Sequence, residues 1–528
     1  MARKRHLLRR EVTYEDVKDE EFNILHQLEF HGQQLQFFTH LWDKRDWMKT
    51  VVAHHLNLAS PSACEVSGVK DWLYGSFNVC VPITINYQHK ARVLLRFPLP
   101  YRVGEAFNPG NGDEKIRCEA ATYAWLQENC SDIPIPQLYG FSLSSGEVFT
   151  FAGCMPLFSR FYFHMRRRLL LWLGRPIPSN YTRHQYRNAI SIDGLAGIST
   201  GYILVEFVDK TKGQMLSNTW SNGRHDPILQ TNLFRDLSRI FLSLFRSPLP
   251  RIGSLSIDNY GYLHVSNRPL SVEIQQLENE GICTDMSREY TYSTVDSYLT
   301  DLLGVHDNRF RFQPNAVNNL GDCAYQLSVL SAMRTVSQSI FSRTFRRGPF
   351  VLCFTDLHQS NIFVSDQWQI KCLVDLEWAC SRPIEMVIPP YWLTDKGVDE
   401  IIPEEYDAIR RIFMETLVNE EEKPVCDNLI KHDHESTALR LSEIMNKTWD
   451  SGAFWYTIGI SSPSGLFNIF NHHIKPLFCA KDYDEDFGVV MPFFFDKNVG
   501  AIAARKLADK EKYDEDLQRA FNYHAKEE

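Results

Sequence analysis

An apolar run, Phe350-Val351-Leu352-Cys353-Phe354, ends in Thr355-Asp356-Leu357-His358-Gln359-Ser360-Asn361, and the chain then returns to Asp375-Leu376-Glu377-Trp378. No other stretch constrains the fold as much. Asn361-Ile362-Phe363-Val364 is β-prone, Ser365-Asp366-Gln367 carries turn residues, and Ile370 to Val374 is β-prone again. The segment therefore reads as two short strands joined by a turn. A hairpin brings its ends together, so Asn361 is expected beside Asp375, with Asp356 on the loop that enters the hairpin. Asx residues are common at turns and strand ends for local capping reasons, and an isolated Asp followed by Asn would mean little. An Asp and an Asn followed by a second Asp behind a hairpin form a narrower pattern. One carboxylate is placed to take a proton from a hydroxyl and two oxygen donors are placed to hold Mg²⁺, the parts that phosphoryl transfer from ATP requires. Asp356 is the candidate base, and Asn361 and Asp375 are the candidate metal ligands.

The run from Thr355 to Asn361, Asp375-Leu376-Glu377-Trp378-Ala379 and Pro389-Pro390-Tyr391-Trp392-Leu393 resemble the aminoglycoside phosphotransferase and choline kinase-like superfamily, most closely a fungal branch of it. Arg251-Ile252-Gly253-Ser254-Leu255, Ser266-Asn267-Arg268-Pro269-Leu270 and Leu277-Glu278-Asn279-Glu280-Gly281 are similar to the same branch, and the likeness runs from about residue 70 to about residue 420. It implies an α+β, two-lobed protein-kinase-like fold, with a small β-rich lobe and a larger, mainly helical one. It also implies ATP and Mg²⁺, and transfer of the γ-phosphoryl group to a hydroxyl of a small molecule. The family usually places a His two residues before the catalytic Asp; this chain has Phe354, which can anchor the loop by packing instead.

The rest of a nucleotide cleft is present in the expected order. Gly75 and Ser76 join two β-prone segments, and small residues there let backbone approach phosphate, although no G-x-G-x-x-G is present. Ala91 to Pro98 reads as the next strand. Arg96 stands where protein kinases carry the Lys that pairs with phosphates and a helix Glu, and its fork suits both partners. The alternative is a surface Arg closing a strand. Glu114 to Glu128 reads as a helix, with Glu119 beside its apolar face as the candidate partner of Arg96; a solvated carboxylate is the alternative. Tyr202 to Asp209 resembles the interlobe hinge, where adenine would meet the Glu206 carbonyl and the Val208 amide. By itself it reads as an ordinary buried strand.

Composition bounds what else the chain can be. Its 528 residues carry a net charge of −9, which disfavours nucleic acid as a main partner. The twelve Cys are scattered without C-x-x-C, as expected for reduced thiols in a cytoplasmic protein. Met1 to Arg10 is basic without an apolar core, so no secretory signal is expected. Arg160 and Arg166-Arg167-Arg168 interrupt the longest apolar stretch, so no membrane span is expected. The expected organisation is a helical extension over 1–60, an ATP-binding lobe over 61–205 with an insertion at about 151–200, a second lobe over 206–440 with an insertion at about 250–305, and a helical extension over 441–528. The aromatic and basic insertion at 151–200 reads either as a lid for an anionic or aromatic substrate or as an amphipathic helix with a solvated basic face. Leu320 to Phe341 reads as the helix supporting the catalytic loop. His358 reads as structural, and Glu377 is left without a role.

Two functions compete: a small-molecule kinase, and a nucleotide-binding protein of the same fold without turnover, which Phe354 and the Gly-poor loop motivate. Protein-kinase activity is disfavoured, because no Asp-Phe-Gly or Ala-Pro-Glu follows the loop.

Overall fold

The computed structural model describes residues 3–86, 91–183, 200–423, 439–462, 465–479 and 484–522; part of the expected insertion, residues 184–199, lies outside the described residues. A short ladder, β1 (Arg5–His6) with β2 (Glu11–Val12), precedes α1 (Ile24–Gln27), α2 (Phe30–Asp43) and α3 (Arg45–His55). Eight strands then form one antiparallel sheet: β3 (Cys64–Val66), β4 (Leu73–Tyr74), β5 (Asn78–Ile85), β6 (Ala91–Pro98), β7 (Leu138–Ser142), β8 (Val148–Phe151), β9 (Tyr181–Arg183) and β10 (Tyr202–Glu206). Their order is β3-β5-β6-β10-β7-β8-β9, with β4 also on β5. Between strands lie α4 (Pro100–Val103), α5 (Asn111–Asn129) and α6 (Leu157–Trp172).

After the sheet, helices dominate, which makes the fold α+β. The chain continues through β11 (Gln214–Met215), α7 (Trp220–Gly223) and α8 (Pro227–Phe245). A hairpin, β12 (Ser254–Ile257) with β13 (Leu263–Asn267), leads to α9 (Val272–Asn279), α10 (Val295–Phe312) and α11 (Leu320–Ile340). The motif strands are β14 (Phe350–Phe354), β15 (Ile362–Val364), β16 (Ile370–Leu373) and β17 (Ala379–Pro383). Among the described residues, seven α-helices follow: α12 (Pro403–Glu421), α13 (Leu441–Ser451), α14 (Ala453–Ile460), α15 (Leu466–Ile469), α16 (Lys475–Phe478), α17 (Asp484–Val490) and α18 (Val499–Ala520). No single described helix is long and apolar enough to cross a membrane.

Strand alternation sorts the sheet residues between two cores. Val79, Val81, Ile83, Leu95, Phe97, Tyr202 and Leu204 pack with Leu41, Met48 and Val52 of α2 and α3. The intervening Ile203 and Val205, with Phe141 and Phe149, face the other way and join the apolar residues of α5 in the core that continues into the helical part. Arg96 lies between Leu95 and Phe97, so alternation turns it toward α5. That helix has fourteen buried residues and is enclosed on all sides, which is why it lacks a clean polar face. Its first turn is capped by Glu105, whose carboxylate accepts from the amides of Gly110 (2.6 Å) and Gly112 (2.8 Å), as helix starts require. The buried guanidinium of Arg268 donates to both oxygens of Glu114 on α5 (2.9 and 2.8 Å) and to Glu278 on α9 (2.6 Å). The Arg268 fork thus ties α5 to the helical part.

The helix supporting the motif differs from expectation. β14 packs against α8, whereas α11 packs against α10 and the C-terminal segment. The intervening hairpin and α9 to α11 separate chain order from spatial order. At the termini, Arg5 donates to the Ala520 carbonyl (3.0 Å), and the Tyr513 hydroxyl accepts from the Ile24 amide (2.9 Å). On α2, Leu41 is buried whereas Leu35 is 56% exposed.

On the other side of the sheet, His55 bridges the hydroxyls of Thr150 and Tyr202, both at 2.9 Å. Gly140 lies beneath it: a Cβ there would sit 2.2 Å from His55 Nδ1 and 2.6 Å from the Phe149 carbonyl oxygen. Gly140→Ala should therefore destabilise the protein by about 1–3 kcal/mol through overpacking, measured as a lowered urea midpoint; an unchanged midpoint would show that this contact relaxes freely.

Candidate active site

The hairpin forms as the sequence suggests, and it sets two of the candidate oxygens side by side. β15 and β16 pair Ile362 with Leu373, and the Val374 amide donates to the Asn361 carbonyl at 2.9 Å. Asp375 follows directly with φ +62°, a left-handed conformation that non-glycine residues adopt at a cost of ~1–2 kcal/mol. Such strain persists where surrounding contacts hold it, and it collects at functional sites. Asn361 Nδ2 donates to the Asp356 carbonyl at 2.8 Å, closing the loop between them. This leaves the amide oxygen, the atom a cation takes, outside that contact. The rest of the loop is equally tied: Thr355 Oγ1 donates to the Trp378 carbonyl (2.6 Å) and Trp392 Nε1 to the Leu357 carbonyl (2.6 Å). Phe354 packs against the main core. Packing and these two side-chain hydrogen bonds hold the loop.

Arg96 meets this loop from the sheet. Its Nη1 donates to Glu119 Oε1 at 2.7 Å, and its Nη2 reaches Asp375 Oδ1 at 2.5 Å and also Glu377. Sequence reasoning had not placed Lys115 or Asn78 here. Lys115, fully buried, pairs with Glu377 and donates to Asn78 Oδ1 at 2.7 Å, while Asn78 Nδ2 donates to Glu377 at 2.6 Å. A spacing signal existed for Lys115: it lies four residues before Glu119, on the same face of α5. Trp378 closes the cluster, with the Phe77 ring edge-on at 5.2 Å and the Lys115 ammonium 5.3 Å from its ring centre.

Burial would raise the Asp375 carboxyl, but Arg96, and after it Lys115, outweigh burial and hold it below the usual carboxylate range. Among the described residues no Lys or Arg pairs with Asp356; its ionisable neighbour is His358, whose Nε2 lies 3.8 Å from Oδ1. Burial first, then the charges of Asp375 and Glu377, push the Asp356 carboxyl up to about 7. Burial lowers His358, whose Nδ1 accepts from the Ser360 amide at 3.2 Å. Asp356 also lines a cavity of about 320 Å³, walled by Leu352, Phe354, Met386, Ile388 and Pro390 among others.

The remaining candidates are placed as follows. Gly75 and Ser76 form the turn between β4 and β5, where the Gly75 amide donates to the Asn78 carbonyl (3.0 Å) and the Ser76 carbonyl accepts from Arg102 (2.8 Å). Glu206 ends β10, its carboxylate engaged by Lys212 and by the Gln137 amide (3.3 Å). Val208 is half-buried just beyond. β10 lies beside β6, with Ile203 opposite Arg96, so this segment runs alongside the Arg96 strand.

No family model matches the chain, and no curated protein matches it closely. Among solved structures, it is similar to an ethanolamine kinase of Plasmodium vivax at 11% identity and TM-score 0.38, over 87% of this chain and 89% of that one. It is also similar to a thermostable aminoglycoside phosphotransferase in a ternary complex with AMP-PNP and hygromycin B (10%, TM-score 0.36, 87% and 98%). A third is a macrolide 2'-phosphotransferase of Brachybacterium faecium (11%, TM-score 0.31, 83% and 98%). All three TM-scores lie below one half.

Glu377→Ala should leave the buried Lys115 ammonium without a carboxylate partner and cost about 3–5 kcal/mol, read from urea unfolding. A loss below about 1 kcal/mol, the range of exposed pairs, would mean that water reaches the cluster.

Proposed function

We propose that this protein is an ATP- and Mg²⁺-dependent phosphotransferase that moves the γ-phosphoryl group to a hydroxyl of a small molecule, with Asp356 as the base. The observation that carries the reading is the meeting of Arg96, from the sheet, with Asp375, from the motif hairpin, one loop away from Asp356. Arg96 and Lys115 face Glu119, Asp375 and Glu377, so two cations meet three carboxylates before Asp356 is counted. Burial pushes Glu119 up to about 7, so the excess of negative charge that suits a divalent cation develops as Glu119 loses its proton.

Asn361 and Asp375 would supply hard oxygen donors of the kind that Mg²⁺ prefers. When bound, it neutralises charge on the phosphates. Arg96, oriented by Glu119, would move its fork from Asp375 to phosphate oxygens. The Gly75–Ser76 turn would cover the phosphates, and the Glu206 carbonyl and Val208 amide would receive adenine. Asp356 orients the acceptor hydroxyl and takes its proton, and its raised pKa makes it a competent base near neutrality. The apolar cavity beside it is the acceptor site in this reading. The second reading, nucleotide binding without turnover, rests on Phe354 and on the Gly-poor turn at Gly75 and Ser76.

The test is ATP consumption across a panel of hydroxyl compounds. Turnover should rise with pH through about 7, where Asp356 loses its proton. Asp356→Asn should lower it by roughly 10²–10⁴-fold while ATP binding stays. The same substitution should alter stability in a defined direction. The folded carboxyl retains a proton that the unfolded chain releases above about 3.8, so wild-type stability falls from pH 4 to 7 and is level above. Burial pushes Glu280 and Glu385 up to about 7 as well, so the variant should show a shallower fall that lacks only the Asp356 share. Retained turnover in Asp356→Asn would assign the base elsewhere; no turnover of the wild type on any acceptor would favour the second reading.

A further inference from the structure

We propose that α6 docks this protein onto the surface of an anionic lipid bilayer. Projected down the helix axis at about 100° per residue, Leu157, Phe161, Trp172, Phe158, Leu169 and Tyr162 fall in that order within an arc of about 140°. All six are exposed, from 54% for Leu169 to 92% for Phe158. The helix is held from the opposite side. Phe163 is buried there, and Arg167 donates to Glu128 at 3.0 Å and to Asn180. The arc is thus turned to solvent by the packing itself. A solvated basic face with the apolar residues turned inward, the arrangement expected of an ordinary surface helix, is not what forms.

Charge identifies the occupant. No acidic residue occurs between Val148 and Arg183, in a chain whose net charge is −9. Arg160 and Arg166 border the arc on its two sides, Arg168 projects within it, and Arg175 follows the helix; none of the four is in an ion pair among the described residues. An apolar arc rich in Trp, Tyr and Phe, edged by unpaired arginines, matches a boundary that is anionic at headgroup level and apolar below. Trp and Tyr favour that boundary, and arginine stems can lie along it with their heads in the headgroup layer. The face is a single convex helix, which can sink into such a boundary without a shape-matched partner. The docking is independent of the reaction proposed above and concerns a different part of the fold.

The full chain should be floated with vesicles of phosphatidylcholine with and without phosphatidylserine. Binding is expected to the anionic vesicles, to weaken when phosphatidylserine is omitted, and to fall with salt. Two variants change only exposed side chains: Phe158→Ser with Phe161→Ser and Trp172→Ser, and Arg166→Glu with Arg168→Glu. Each should bind roughly tenfold or more weakly with an unchanged thermal midpoint. Absence of wild-type flotation with anionic vesicles, or equal flotation of the serine variant, would overturn the proposal. A wild type that self-associates in solution, ignores vesicles and becomes monomeric on serine substitution would make the face a protein interface and overturn it too.

Discussion

The buried guanidinium of Arg96 is the charge on which the remainder of the structure turns. It lies on a strand whose neighbours enter an apolar core, and it is compensated from three directions by Glu119, Asp375 and Glu377. A lone charge at that depth is prohibitively costly, so the sheet, α5 and the motif hairpin are stable together only in the register that delivers these carboxylates. Lys115 doubles the requirement, because its ammonium is as deeply buried and depends on the same Glu377. The cluster therefore acts as a registry device between the β-rich and helical parts, and the same geometry gathers groups suited to phosphate and a divalent ion.

Rigidity on one side and strain on the other complement this cluster. α5 is fixed by Glu105 at its first turn and by the Arg268 fork to Glu114 and Glu278. Glu119 is thus held at a set height along the helix. Across the site, Asp375 occupies a left-handed conformation at the end of the hairpin, held there by its ion pair with Arg96. Asp356, one loop away, pairs with no Lys or Arg among the described residues and keeps its proton to near-neutral pH. Neighbouring carboxylates with opposite shifts are the pattern by which one site separates a charge-holding role from a proton-accepting one.

Much of this was legible in the chain. The Asp356, Asn361 and Asp375 spacing defined a hairpin, and alternation around Leu95 and Phe97 with the helical position of Glu119 put Arg96 and Glu119 within reach. Asn78 and Glu377 were not legible as partners, because what unites them is a three-dimensional neighbour, Lys115, whose burial no local pattern reveals. The assignment of α11 to the catalytic loop failed because inserted elements separate chain neighbours in space, leaving β14 against α8. The exposed arc of α6 was likewise hidden: hydrophobic periodicity locates an apolar face but does not say whether that face is packed or solvated.

The central claim is that Asp375 exchanges Arg96 for a divalent cation carrying ATP phosphates. The most direct measurement is calorimetric titration of ATP into the full chain with Mg²⁺ and with a chelator, for the wild type and for Asp375→Ala. The account predicts binding that needs Mg²⁺ and that the substitution weakens by roughly 10–100-fold. Equal affinity with and without the ion, or an Asp375→Ala protein that binds as the wild type does, would contradict it.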